Sequence, residues 1–448
     1  MRDLADRFLA FHQRYHRFFQ LRTRTVVEQA RQYLSGLMQA SKRNMERMAE
    51  VVPETDEQSL QNFLAYSPWD ARALMDQIAI DANRVIGGGE ETCLIVDETP
   101  FSKKGNHSVG VARQWNGRLG KVDNCQVAVF SALCEGTRVM LTDTRLYLPK
   151  NWTNDKERCR RAGVPEDRME YRKKTDLALE MIHAARALEI DFQWVGGDAF
   201  YGHDSQFIRK LDQEHQLFLL DVHSDQTIYL EDPTPYVPKR TSGRGRAPVR
   251  RVTDQPGLSV RQWADAQPES AWQRVVLRQS TRGPLTARVL HRHVWLWDGK
   301  EQQAHRYHLI VSETDRSKRK YSVSNAPEKT PVQRLAFMQA QRYWVERGIE
   351  DAKSHAGMAD YQVRSWAGWH HHIAMVMLAL LFMLEIRVEH EDDLRLLSCR
   401  DIQELLSHFL PRRDITRQEV IQQMLNRHRK RAASIEYHYK KHKLKTKG

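Results

Sequence analysis

Cysteine is scarce and poorly spaced for structural chemistry. Cys93, Cys125, Cys134, Cys159 and Cys399 form no C-x-x-C pair and leave an odd residue over. That argues against a disulfide framework or a zinc finger and suits a reducing cytoplasm, the expected location. A long apolar run is also missing. The longest, Ile373 to Leu384 (IAMVMLALLFML), falls short of the ~18–20 residues that cross a bilayer and reads as a buried helix. The first twenty residues carry charges inside every apolar stretch, which excludes a secretory signal. Glycine and proline, 22 and 15 of 448 residues, are too few for a collagenous or low-complexity chain. What remains is an ordinary globular balance, 41% hydrophobic and 28% charged, long enough for two or three domains.

Acidic residues are nearly absent from one region. From Asn426 onward the chain reads NRHRKRAASIEYHYKKHKLKTKG, with Glu436 its single acid. A second basic stretch, KRTSGRGRAPVRR, runs from Lys239 to Arg251. The whole chain carries 70 Lys and Arg against 57 acids, a formal charge of +13. Clustered cations of this kind bind polyanions by releasing counterions, so nucleic acid is the expected partner.

Periodicity divides the chain. Apolar residues recur at three- and four-residue spacing through Phe8, Phe11, Tyr15 and Phe18, and again through Leu60, Phe63, Leu64 and Leu74, predicting helices over 1–88. The triple glycine Gly87–Gly89 ends that block. Strands are then expected at 93–96, 108–115, 126–133 and 137–148, the last two a hairpin around Glu135-Gly136. A helix over 172–188, a strand at 192–196, a helix over 204–214 and a strand at 217–222 follow. The mixture predicts a mixed sheet covered by helices. Residues 225–328 read as a β-rich insertion, with strands at 272–279, 286–297, 305–311 and 321–324. Helical spacing returns from Val332 to about His355, and again from Trp369 to the basic end.

Three acids stand out. Asp97 closes the apolar strand of LIVDET, and Asp198 closes another in WVGGDAFYG. A carboxylate beside apolar packing is costly unless paired or metal-bound, and strand ends are where open α/β sheets place ligands. Each alone also fits a turn or helix N-cap. The third lies in QRYWVERGIEDAKSH, where Arg342, Glu346 and Glu350 share one helical face with Lys353 nearby. Taken alone, that spacing more often produces a solvent-facing ladder of ion pairs.

The combination is more specific than its parts. The stretches DEQSLQNFLAYSPWD (56–70), VDETPFSKKGNHSVGVARQWNGRLGKVDNCQVAV (96–129), WVGGDAFYG (194–202), YSVSNAP (321–327) and VERGIEDAKSHAGMADYQVRSWAGWHHH (345–372) follow one another along the chain. In this it resembles the DDE transposases of bacterial insertion sequences, in the branch typified by insertion sequence 701 and near the insertion sequence 4 group. The resemblance implies an α/β, RNase H-like mixed-sheet core interrupted by the β-rich insertion, with helical N-terminal and C-terminal regions. Its divisions would be a DNA-binding region at 1–88, core at 89–224 and 329–390, insertion at 225–328, and a basic helical end at 391–448.

The same resemblance implies catalytic and metal-binding roles for Asp97, Asp198 and Glu346, with two Mg²⁺ or Mn²⁺ ions. The related group's signature has arginine four residues before the glutamate and lysine seven after, which Arg342 and Lys353 satisfy around Glu346. Glu350 would need an arginine at Glu346 and a lysine at Gly357, and stands as the alternative. The signature's tyrosine falls on Gln339, so that role is unassigned. DNA contacts are expected from Arg342, Lys353, Lys103, Lys104, Lys121 and Trp297, the last sharing a strand face with Trp295. His370–His372, as consecutive helical residues, have poor ligand geometry and read as structural or DNA-facing, and Asp123 as a turn polar residue. The implied function is metal-dependent cleavage and strand transfer at the ends of an insertion sequence, by a homodimer on double-stranded DNA. The alternatives are a non-joining DNA endonuclease and a non-catalytic DNA-binding descendant.

Overall fold

The computed structural model describes residues 3–239, 248–280, 283–314 and 319–445. Most of the basic stretch 239–251 and the last three residues of the tail lie outside them. One large mixed sheet organises the molecule. Its strands are β1 (Cys93–Ser102), β2 (Ala112–Asn116), β3 (Lys121–Glu135), β4 (Arg138–Leu146), β5 (Trp194–Gly197) and β6 (Phe218–Asp221). A short pair follows, β7 (Thr227–Ile228) and β8 (Leu258–Ser259), then β9 (Gln273–Ser280), β10 (Gly283–Leu296), β11 (His305–Glu313) and β12 (Lys320–Ser324).

The sheet order is β2-β3-β1-β5-β6-β12-β11-β10-β9, with β4 also paired to β3. β5 lies parallel to both β1 and β6, and the other pairs are antiparallel. The run β4-β3-β1-β5-β6, an antiparallel meander followed by parallel strands reached through helices, is the RNase H-like core. The hairpin between β3 and β4 turns at Gly136, whose φ of +56° favours a residue without a side chain. Beyond β6 the β-rich stretch continues the same sheet, because β12 pairs with β6 through Ser322–Ser324 against Leu219–Asp221.

Three local expectations are corrected. β1 does not stop at Asp97 but runs to Ser102, because β3 offers ten consecutive antiparallel partners. The 108–115 strand shrinks to β2, since Gly110 at φ +74° turns the chain and the Val109 amide donates to the Arg364 carbonyl. The helix expected from Val332 to His355 is two, Val332–Gln341 and Tyr343–His355, joined at Arg342.

The helix Trp366–Glu389 begins earlier than expected, capped by the Ser365 hydroxyl, which accepts from the Gly368 amide. It is long and apolar enough to cross a membrane, yet 83% of its apolar window is buried within the fold. It packs on β4 and on the N-terminal helices Val27–Gln39, Glu57–Ala65 and Ala71–Ile86. His371 and His372 face that interface. The His371 ring lies 2.7 and 2.9 Å from the Leu64 and Trp69 carbonyls, and His372 lies 2.8 Å from the Tyr33 hydroxyl. The histidine run therefore ties the N-terminal region to the core helix. All five cysteines are free and buried.

Candidate active site

The cleft originates in the sheet's parallel pair. The β1–β5 register ends at Val96 opposite Gly197, so Asp97 and Asp198 are the next residues where the two strands part, β1 continuing against β3 and β5 ending. Asp97 Oδ1 accepts from the Glu98 amide at 2.8 Å. Asp198 caps the short helix Ala199–Gly202, its Oδ1 accepting from the Phe200 amide at 3.0 Å. The helix cap foreseen as the mundane role is thus real and leaves Asp198 in the cleft. Gly202 lets this happen: a Cβ there would sit 1.9 Å from the Asp221 carbonyl oxygen, so only glycine allows the helix to press onto β6.

Glu346 arrives from elsewhere, one turn into the helix Tyr343–His355. Arg342 fixes it. Its Nη1 lies 2.8 Å from Glu346 Oε1, and its Nε lies 2.8 Å from Asp221 Oδ2 at the end of β6. Asp221 in turn accepts from the Ser322 hydroxyl. The side chains of Asp97, Asp198, Glu346, Arg342 and Lys353 line one open cleft of about 870 Å³, together with Glu98, Lys174, Trp115, His223 and Glu350.

Electrostatics follows from crowding acids in a buried place. Burial, then the charge of Asp198, pushes the Asp97 carboxyl up to about 8. Burial, then Glu98, raises Asp198, and burial raises Asp221 against the pull of Arg342. Burial works against the Arg342 charge, but Asp221, Glu346, Asp97 and Asp198 outweigh it and hold the guanidinium firmly ionised. Burial also lowers the Lys353 ammonium to about 8; it donates to the Thr99 hydroxyl on β1. The donor set is entirely carboxylate oxygen. It suits a hard divalent cation such as Mg²⁺ or Mn²⁺, whose charge would relieve the mutual repulsion of Asp97 and Asp198.

The remaining expected contacts are scattered. The Lys103 ammonium stands 3.4 Å from the centre of the Tyr361 ring, a contact that turns its charge into the fold, and burial lowers it to about 8. Lys104 and Lys121 are exposed and do not line the cleft. Trp297 is half-buried, donates from its indole nitrogen to the Glu301 carbonyl, and lines a separate cavity of about 270 Å³. Asp123 accepts from Ser102 and Asn116, the bland role expected of it.

Sequence reading passed over Asp221, Lys174 and Trp115. Asp221 had a visible signal: it ends the apolar run FLLD just as Asp97 ends LIVD. Lys174, 2.8 Å from Glu98, carried none. Trp115 is 63% exposed at the cleft rim, where a base could stack.

A family profile described as "DDE superfamily endonuclease" matches residues 14–284, a span that contains Asp97 and Asp198 and ends before Glu346. A "Probable transposase for insertion sequence element IS701" from Microchaete diplosiphon is 25% identical over 328 residues, covering 72% of this chain and 73% of the relative.

Proposed function

The chain belongs to the DDE superfamily of endonucleases, and from that premise we propose that it is a transposase that cleaves and joins DNA strands at the ends of an insertion sequence. One observation carries the reading. Two neighbouring strands, where they part, bring Asp97 and Asp198 to a cleft also lined by Glu346 of a distant helix, itself paired to Arg342. Similarity to an insertion-sequence transposase over nearly three quarters of both chains supports the same substrate.

In this reading Asp97, Asp198 and Glu346 hold two divalent ions, Mg²⁺ or Mn²⁺. When bound, such ions supply Lewis-acid stabilisation of the attacking and leaving oxygens of a phosphodiester displacement. Glu346 is preferred over Glu350, although both line the cleft, because Arg342 pairs with Glu346 and feels the charges of Asp97 and Asp198 as well. Arg342 is a positioning residue that braces Glu346 against Asp221. Lys353 and Lys174 present cations toward the strand phosphates, and Trp115 offers a stacking face. Lys104, Lys121 and the basic end contribute non-specific backbone attraction. Trp297 is retained as a DNA contact of the inserted strands, the region 1–88 as the end-binding element, and a homodimer as the unit that holds two ends.

The test is a strand-transfer assay on DNA carrying the element's ends, with Mg²⁺ or Mn²⁺. Joined products support the proposal. Cutting without joining reduces the protein to an endonuclease, and binding alone to a non-catalytic descendant.

A further inference from the structure

A second group of metal-ligating side chains lies outside the acidic cleft. β10 places His291 and His293 two residues apart, on one face of the strand. β11 sets His308 directly opposite His293. The three imidazoles share that face, and one ring nitrogen from each lies within 4.8 Å of the others. Among the described residues no other group of three or more His, Cys, Asp or Glu side chains has this closeness.

The surroundings select which nitrogens are available. His308 is 2% exposed, and its Nε2 lies 3.0 Å from the Ala326 carbonyl and 3.2 Å from that of Pro327. Carbonyls only accept, so Nε2 carries the proton and Nδ1 is left with its lone pair. That Nδ1 faces His291 Nε2 at 2.9 Å. A hydrogen bond between those two rings accounts for only part of the cluster, because His293 Nε2 is buried with no hydrogen-bond partner. An ion bound by all three rings satisfies it. A fixed backbone acceptor on the far nitrogen of a ligating histidine is the usual outer partner of a bound metal.

We propose that His291, His293 and His308 bind one zinc-class transition-metal ion, which clamps β10 to β11. Neutral imidazole nitrogens suit zinc, cobalt, nickel or copper and not the hard cations favoured by the acidic cleft. Tetrahedral zinc with Zn–N near 2.0–2.1 Å needs donors about 3.4 Å apart, so the His291–His308 pair at 2.9 Å must part by about half an ångström and a pair at the 4.8 Å limit must close by about 1.4 Å, within reach of side-chain rotation. Burial, followed for His291 by the charges of its two neighbours, holds all three rings below the ordinary histidine range, so they stand neutral near pH 7. The nearby Arg306 charge is paired with Glu328 at 2.9 Å. Through His308 the clamp also secures the Ala326–Pro327 turn. That turn leads into the helix Val332–Gln341 and then to the helix bearing Glu346.

The experiment uses full-length protein stripped of metal and titrated with Co²⁺, then displaced by Zn²⁺, reading ligand-field absorption and stoichiometry. Wild type should take up one tightly held equivalent. His291→Gln and His293→Gln should weaken binding by more than the about 10- to 100-fold seen when only an outer partner is lost. Asp97→Asn combined with Asp198→Asn should leave it intact. Zn²⁺ should raise the melting temperature of wild type and not of His293→Gln, with both melting alike without metal. Absence of a stoichiometric site, binding that survives both histidine substitutions, or binding that disappears with the acidic-cleft substitutions would each overturn the proposal. None of these outcomes depends on DNA cleavage.

Discussion

The sheet builds two candidate metal sites by different means. Where β1 and β5 part from each other, Asp97 midway along β1 and Asp198 just past β5 line an open cleft to which a helix adds a third acid. Between β10 and β11 the strands keep pairing, and three histidines, two half-buried and one buried, stand on one face in fixed register. The first site is anionic, oxygen-rich and accessible to a polymer. The second is neutral, nitrogen-rich and partly enclosed. In the proposed reading the acidic cleft serves chemistry on a large substrate, whereas the histidine-bearing strand face serves a local clamp.

The sharpest way to break that contrast is to remove the acids one at a time. Alanine at Asp97, Asp198 or Glu346 should reduce DNA cleavage on the order of 10³-fold or more while sparing DNA binding and zinc uptake. Loss of all three properties together would merge the two sites into one folding defect. Arg342→Ala should lower cleavage about 10- to 100-fold, as expected of a residue that acts through another's position. Glu350→Gln should cost far less than Glu346→Gln, and the reverse order would move the third assignment to Glu350.

Smaller effects sharpen the acidic side. Gly202→Ala should destabilise the fold by about 1–3 kcal/mol or more in denaturant melts, since the new methyl meets the fixed Asp221 carbonyl rather than a yielding side chain. The pH dependence has a definite sign. Folded protein keeps the Asp97 proton up to about 8, whereas an ordinary aspartate releases it near 3.8. Metal-free protein therefore loses stability from this group as pH climbs between those values, and regains it on acidification. Asp97→Asn should remove that slope and be more stable than wild type at about pH 8 by at least about 1.4 kcal/mol, one pKa unit's worth. Saturating Mg²⁺ should shrink the difference by stabilising the ionised carboxylate. Weakest of all, Lys104→Ala and Lys121→Ala should each reduce the salt slope of DNA binding by about one unit, without changing cleavage by bound enzyme.

Much of this architecture was legible along the chain. LIVD and WVGGD marked strands with acids at their ends, and the register confirms the strands while extending the first one past its acid. The β3–β4 hairpin was announced by Glu135-Gly136, and strands were expected close to where β9 to β12 lie. The errors arose where a distant partner decided. Asp97 continues in strand because β3 runs alongside, and the long predicted helix divides at Arg342, whose side chain turns to Asp221. Lys103 looked like a surface cation but sits on Tyr361, more than two hundred residues downstream.

Local order therefore determined the elements: which segments coil, which extend, and which residue types stand at their ends. Those choices depend on side-chain period and turn chemistry, which act over a few neighbours. Only tertiary structure decided that Asp221 anchors Arg342, that Gly202 must lack a side chain, that strands β9–β12 prolong the core sheet, and that three histidines from two strands gather on one face. Such relations come from strand register and close packing between segments far apart in sequence, and no periodicity along the chain encodes them.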